Sequence, residues 1–122
     1  MDPRISHSIE STNKLFDKGI SLKKAAQFAN LSYGYFGELF KKETGMCFGE
    51  YLKEKRILRA RFLLDNSGME IKEICLSVGY KNIQNFYHDF KKRTGLSPRE
   101  YRQKSGSWIL PIKSVILPIK VP

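Results

Sequence analysis

The sequence predicts an all-α protein of about seven helices, in which two helix-turn-helix units are joined by a long linker helix. Three observations carry this expectation. A segment around Phe36–Tyr51 recurs fifty residues later around Phe86–Tyr101. Each copy holds two short amphipathic stretches separated by a few turn-forming residues. Between the copies runs a longer amphipathic stretch, from about Phe48 to Asn66.

Phe36, Phe40, Lys41, Lys42, Thr44, Gly45 and Tyr51 pair with Phe86, Phe90, Lys91, Lys92, Thr94, Gly95 and Tyr101. Upstream, Leu22, Ala25, Ala26 and Ala29 pair with Ile71, Ile74, Cys75 and Val78, an offset of 49 instead of 50. The second copy therefore carries one more residue between its helices.

Asp2 caps a first helix with Pro3 in its first turn and Ile5, Ile9 and Phe16 inward. In unit one, about residues 20–45, Ser21 caps a short helix with Leu22, Ala25, Ala26 and Ala29 on its inner face, and Asn30-Leu31 ends it. Ser32 caps the next, from about Tyr33 to Thr44, which Gly45 terminates; Phe36, Leu39 and Phe40 form its buried stripe. The linker helix spans about residues 48–66, with Leu52, Ile57, Ala60, Leu63 and Leu64 apolar. Nineteen residues at about 1.5 Å each make a rod of roughly 28 Å, close to one turn of DNA. In unit two, about residues 70–95, a helix from Glu70 to Val78 precedes a turn at Gly79, and Asn82 caps a helix that runs to Thr94 before Gly95. These units form one domain over residues 1–103. Residues 104–122 contain Ile-Leu-Pro-Ile-Lys twice and are expected to be a flexible tail, because proline forbids a long helix and restricts strand pairing.

Composition narrows the function. Hydrophobic residues at 41% and charged residues at 28% describe a globular chain of 122 residues. No apolar run is long enough to span a bilayer and no secretion signal is visible, so a cytoplasmic protein without a membrane partner is expected. Cys47 and Cys75 lack metal-type spacing and are expected to be buried reduced thiols. The balance of 22 Lys and Arg against 12 Asp and Glu, a net +10, predicts an anionic partner, which charge alone leaves open among DNA, RNA and anionic lipid.

The second helix of a helix-turn-helix unit enters the major groove, so its N-terminal solvent face reads bases. Subtracting the core stripe leaves Tyr33, Gly34, Gly37, Glu38 and Lys41 in the first copy, and Ile83, Gln84, Tyr87, His88 and Lys91 in the second. Gln84 suits a bidentate bond to adenine, His88 a guanine acceptor, and Ile83 or Tyr87 a thymine methyl, while Glu38 can accept from cytosine. Gly34 and Gly37 each cost a helix about 1 kcal/mol relative to alanine and offer only close backbone approach. Lys41, Lys42, Lys91, Lys92 and Arg93, further along each helix, are expected on phosphates. Arg56 suits either DNA or a helix end in the core. Most discrimination is thus expected from the second unit.

The run Leu31-Ser32 through Phe40-Lys41-Lys42-Glu43-Thr44-Gly45, the pairs Tyr51-Leu52 and Arg56-Ile57, and Val78-Gly79-Tyr80 through Phe90-Lys91-Lys92-Arg93-Thr94-Gly95-Leu96-Ser97-Pro98-Arg99-Glu100-Tyr101-Arg102 resemble the DNA-binding domain of the arabinose-operon regulator (AraC/XylS) family. The resemblance implies a bacterial transcription factor with seven helices and two recognition helices in successive major grooves. It places Gly34, Gly37, Glu38, Gln84 and His88 at base-contacting positions. It also implies double-stranded promoter DNA and RNA polymerase as partners, together with a sensing domain not found in this stretch.

No cofactor is expected and no catalysis. Some proteins resembling this family move an alkyl group from DNA to a cysteine, but Cys47 and Cys75 have no clustered Cys or His beside them. A protein-interaction module is the other alternative, which salt dependence would separate from DNA binding.

Overall fold

The computed structural model describes residues 1–104, which hold seven helices and no strand. These are α1 (Pro3–Leu15), α2 (Leu22–Phe28), α3 (Tyr33–Thr44), α4 (Phe48–Asn66), α5 (Ile71–Ser77), α6 (Ile83–Thr94) and α7 (Pro98–Gln103). They divide between two compact units, Met1–Lys53 and the residues from Glu54 on, with the division falling inside α4. Of the expected tail, everything after Lys104 lies outside the described residues.

In the first unit, α1 starts where Asp2 accepts the amide of Arg4 at 2.8 Å and Pro3 supplies the first turn. Its buried Ile5 and Ile9 join Ala25, Ala26 and Ala29 of the α2 segment, Phe36 and Phe40 of α3, and Phe48, Tyr51 and Leu52 of α4 in one core. The three alanines let α2 lie close to its neighbours, so close that the buried Ser8 hydroxyl donates to the Ala25 carbonyl at 3.2 Å. Tyr51 closes this core with its hydroxyl donating to Asn13 at 2.7 Å. Burial pushes that phenol up to about 12, against the modest opposing pull of the Asn13 bond.

The second unit repeats the scheme with Ile57, Ala60 and Leu64 of α4, Ile74 and Cys75 of α5, and Val78, Tyr80, Phe86, Phe90 and Tyr101. Ring geometry is duplicated with the sequence. Phe36–Phe40 and Phe40–Tyr51 centroids are 5.6 Å apart in each case, and Phe86–Phe90 and Phe90–Tyr101 are 5.7 and 5.5 Å apart. The six recurrent aromatics are therefore core residues and not a base-stacking platform.

α7 opens with Pro98 inside a capping box, Ser97 accepting from the Glu100 amide and Glu100 from the Ser97 amide. Those bonds hold the Glu100 carboxyl below its usual range. From α7, Arg102 donates to the carbonyls of Leu64, Ser67 and Met69, at 3.4, 3.2 and 2.6 Å. Three carbonyls that a helix end and its following loop would otherwise leave unpaired are thereby satisfied.

Two expectations need correction. Cys47 is exposed and only Cys75 is buried, both as free thiols; Cys47 precedes α4 rather than facing the core. Ile83, expected on the groove face, is half-buried and packs against the second core.

Candidate nucleic-acid interface

Each unit presents one helix, α3 or α6, whose two ends are set by short-range chemistry. The turns before them share one hydrogen-bond scheme although they differ in length. After α2, Leu31 donates to the Ala26 carbonyl and Asn30 to that of Gln27; after α5, Tyr80 donates to Cys75 and Gly79 to Leu76. These paired bonds are the Schellman closure, which needs a residue at positive φ. Asn30, at φ 57°, fills that place in the first unit and Gly79, at φ 102°, in the second. Asparagine tolerates the first value, but 102° lies beyond the ordinary left-handed well, which is why the second turn has glycine.

Ser32 then accepts from the Tyr35 amide at 3.3 Å, and Asn82 accepts from Gln84 and Asn85 at 2.8 and 3.1 Å. At the far ends Gly45 and Gly95 adopt φ of 81° and 83°. Beside them the buried Thr44 and Thr94 hydroxyls lie 2.6 and 2.8 Å from the carbonyls of Phe40 and Phe90, and accept from Met46 and Leu96. The threonine role was marked in the sequence only as part of the repeat.

With both stripes buried, the outward faces are defined. On α6, Gln84, Tyr87, His88, Lys91 and Lys92 are exposed, and the last four line an open hollow of about 400 Å³. On α3, Gly34, Glu38, Lys41 and Lys42 are exposed and Gly37 is half-buried. The lysines occupy the last turn of each helix, where positive charge also complements the helix dipole.

Tyr33, expected on the α3 face, is 57% exposed, with Lys23 of α2 at 5.8 Å from its ring centroid. Arg99 is exposed and lines a cleft of about 450 Å³ with Ile71, Tyr87, Ser97 and Pro98. Its signal in the sequence was its place in the Ser97-Pro98-Arg99 run, next to a helix start.

Arg93 is the correction at the site. Expected on phosphates, its side chain is only 5% exposed, and its Nε donates to Oε1 of Glu54, itself 8% exposed, at 3.1 Å. It follows Phe86 by seven residues, two helical turns, which puts it on the buried side of α6. Arg56 is half-buried with its guanidinium 5.7 Å from the Tyr80 ring centroid.

Neither glycine on α3 is required by packing, since a Cβ at Gly34 or Gly37 meets nothing within 4 Å. Gly34→Ala and Gly37→Ala are each expected to stabilise the free protein by about 1 kcal/mol, the helix-propensity difference. Urea unfolding checks this, and a loss of stability in either variant would contradict it.

Among the described residues there is no group of three or more His, Cys, Asp or Glu side chains placed to hold a metal. No helix of these residues is long and apolar enough to cross a membrane.

Capped recognition-type helices, duplicated with their basic ends, define a protein of the helix-turn-helix class. A family model described as a helix-turn-helix domain matches residues 25–104. The C-terminal domain of AraT, a response regulator from Geobacillus stearothermophilus, superposes with a TM-score of 0.81 at 32% identity, covering 84% of this chain and 86% of that one. The uncharacterized HTH-type transcriptional regulator YtdP of Bacillus subtilis strain 168 is 36% identical over 92 residues, which are 75% of this chain and 12% of that protein. The HTH-type transcriptional activator RhaR of Cronobacter sakazakii is 37% identical over 70 residues, 57% of this chain and 25% of that protein. The chain thus belongs to the AraC/XylS family of helix-turn-helix transcription regulators and spans a quarter or less of these two relatives. Family and fold are those of DNA-binding regulators, not of enzymes.

Proposed function

We propose that the chain regulates transcription by placing α3 and α6 in successive major grooves of promoter DNA, with α6 as the principal reader. The observation that carries this reading is the exposed, capped first half of α6, where Gln84 and His88 stand on the outward face ahead of the exposed Lys91 and Lys92. A glutamine amide matches the donor and acceptor that adenine shows in the major groove, and an imidazole N–H matches a guanine acceptor. Tyr87 adds an apolar surface for a thymine methyl. Ile83, packed on the core, contributes an edge at most.

On α3 the same face offers Gly34, Gly37 and Glu38, so this helix contributes close backbone approach and one acceptor for cytosine. Lys41, Lys42, Lys91 and Lys92 hold phosphates and fix register without reading sequence. Residues 1–103 carry the binding. A cytoplasmic setting, RNA polymerase as a partner and a sensing domain that governs binding complete the proposal. They rest on the family, whose relatives named above are much longer than this chain.

The test is competition binding against single-base variants of a site selected from a random duplex pool. Gln84→Ala and His88→Ala are expected to lose about 1 to 3 kcal/mol of discrimination at one or two base pairs. Lys41→Ala should weaken all sequences alike, and Glu38→Ala should raise non-specific affinity by removing a negative charge from the groove-facing surface. Specificity that vanished with Glu38→Ala while surviving both α6 substitutions would show that α3 is the principal reader.

A further inference from the structure

Behind the reading face of α6 lies a buried polar arrangement that the first unit lacks. Tyr80, which directly follows the turn glycine Gly79, is 7% exposed, and its hydroxyl donates to Oδ2 of Asp89 at 2.8 Å. Asp89 is equally buried and directly follows His88 on α6. One turn further along the same side, Arg93 pairs with Glu54 of α4. The Tyr80 ring also packs at 5.4 Å from that of Phe86. In the first unit the repeat places Leu31 where Tyr80 stands and Leu39 where Asp89 stands, and both leucines are simply packed against the core.

The difference has a physical meaning. An apolar stripe is non-directional, so leucines leave the roll of a helix to shape packing alone. A buried hydroxyl and carboxylate are not so tolerant, because any roll that separates them strands two polar groups away from water. Burial together with the adjacent Asp89 carboxylate drives the Tyr80 phenol far above its usual range, so it remains the donor of this bond throughout the physiological range.

We propose that Tyr80 and Asp89 are positioning residues which fix the roll of α6 about its axis, and that sequence discrimination by Gln84 and His88 depends on this bond though neither residue touches DNA. This rests on the reading of α6 as the base reader. It also accounts for why the polar pair is found in the unit with side chains suited to bases, while the unit with Gly34 and Gly37 has leucines.

The experiment uses the full chain with two readouts. Amide residual dipolar couplings of α6 in the DNA-free protein report its orientation, and competition binding to the selected duplex and its single-base variants reports discrimination. The variants are Tyr80→Phe, the doubly apolar Tyr80→Phe/Asp89→Leu, which imitates the first unit, and Asp89→Asn, which keeps an acceptor. Both variants without the bond should shift the α6 couplings and lose about fivefold or more in discrimination, the low end for one good base contact. Their affinity for non-specific duplex should stay within about twofold, since the exposed lysines remain. Asp89→Asn should keep both properties. Unchanged couplings in the two variants without the bond, or discrimination kept while the couplings move, overturn the proposal. So does a loss in Asp89→Asn as large as in the apolar variant. Gln84→Ala in the same assay separates the two levels: if it too keeps discrimination, the failure belongs to the reading of α6 as base reader, and the proposal falls with it.

Discussion

Replacing Arg93 with alanine is expected to destabilise the protein by about 3–5 kcal/mol, the cost of breaking a buried ion pair by removing one partner. The partner is Glu54, whose side chain is 8% exposed and whose Oε1 accepts from Arg93 Nε at 3.1 Å. Removing the guanidinium takes from that largely buried carboxylate the charged partner at its Oε1. Against a total stability of roughly 5–15 kcal/mol for a small protein, the variant stands near its unfolding threshold. Two controls make the argument sharp. Lys91→Ala, two residues earlier and exposed, should change stability by no more than about 0.5 kcal/mol. The double variant Arg93→Met/Glu54→Leu should recover most of the loss, because exchanging both charges for apolar groups is often close to neutral. Equilibrium unfolding in urea measures all three. A phosphate-binding Arg93 would give the opposite pattern, with stability intact and DNA affinity reduced.

A second large effect is expected from salt. Four exposed lysines, Lys41, Lys42, Lys91 and Lys92, stand on the two recognition helices of a chain with a formal charge of +10. If these four each displace a counterion from duplex DNA, the slope of log affinity against log salt is about −3.6. Raising salt from about 50 to 200 mM then weakens binding roughly 150-fold. Lys41→Ala should flatten the slope by about one, and Arg93→Ala, where enough of it folds to assay, should not change it. Fluorescence anisotropy with a labelled duplex over a salt series gives the slope. Affinity that stayed within about twofold across this range would point to a protein-interaction module instead of a nucleic-acid binder.

The parts of this molecule that local chemistry decides were open to reading from the sequence. Asp2, Ser21, Ser32 and Asn82 cap helices, and Gly45 and Gly95 end them, because a cap needs only residues within one turn. The bounds of α4 and the burial of the recurrent phenylalanines followed from periodicity and from the repeat. What escaped depends on contacts between distant residues. Arg93 was grouped with Lys91 and Lys92 as a basic run, although its spacing from Phe86 already placed it inward; nothing local marks Glu54, 39 residues away, as its partner. Asp89 and Tyr80 were likewise unremarkable until the fold brought their oxygens together. Cys47 failed for a different reason: a small apolar side chain just outside a helix start carries no phase, so periodicity does not say which way it faces.

That cysteine gives the protein a single chemical handle. Cys75 is buried, its Sγ 3.8 Å from the Tyr80 carbonyl oxygen, and burial raises its thiol above the usual range, so it has little thiolate and no route to a reagent. Cys47 is exposed, three residues after the threonine that ends α3. A maleimide dye or spin label will therefore settle on one sulfur of the unmutated chain, beside the end of a recognition helix. The same asymmetry sets how the protein ages in air, because oxidation at Cys47 couples two chains through one disulfide and leaves the interior untouched.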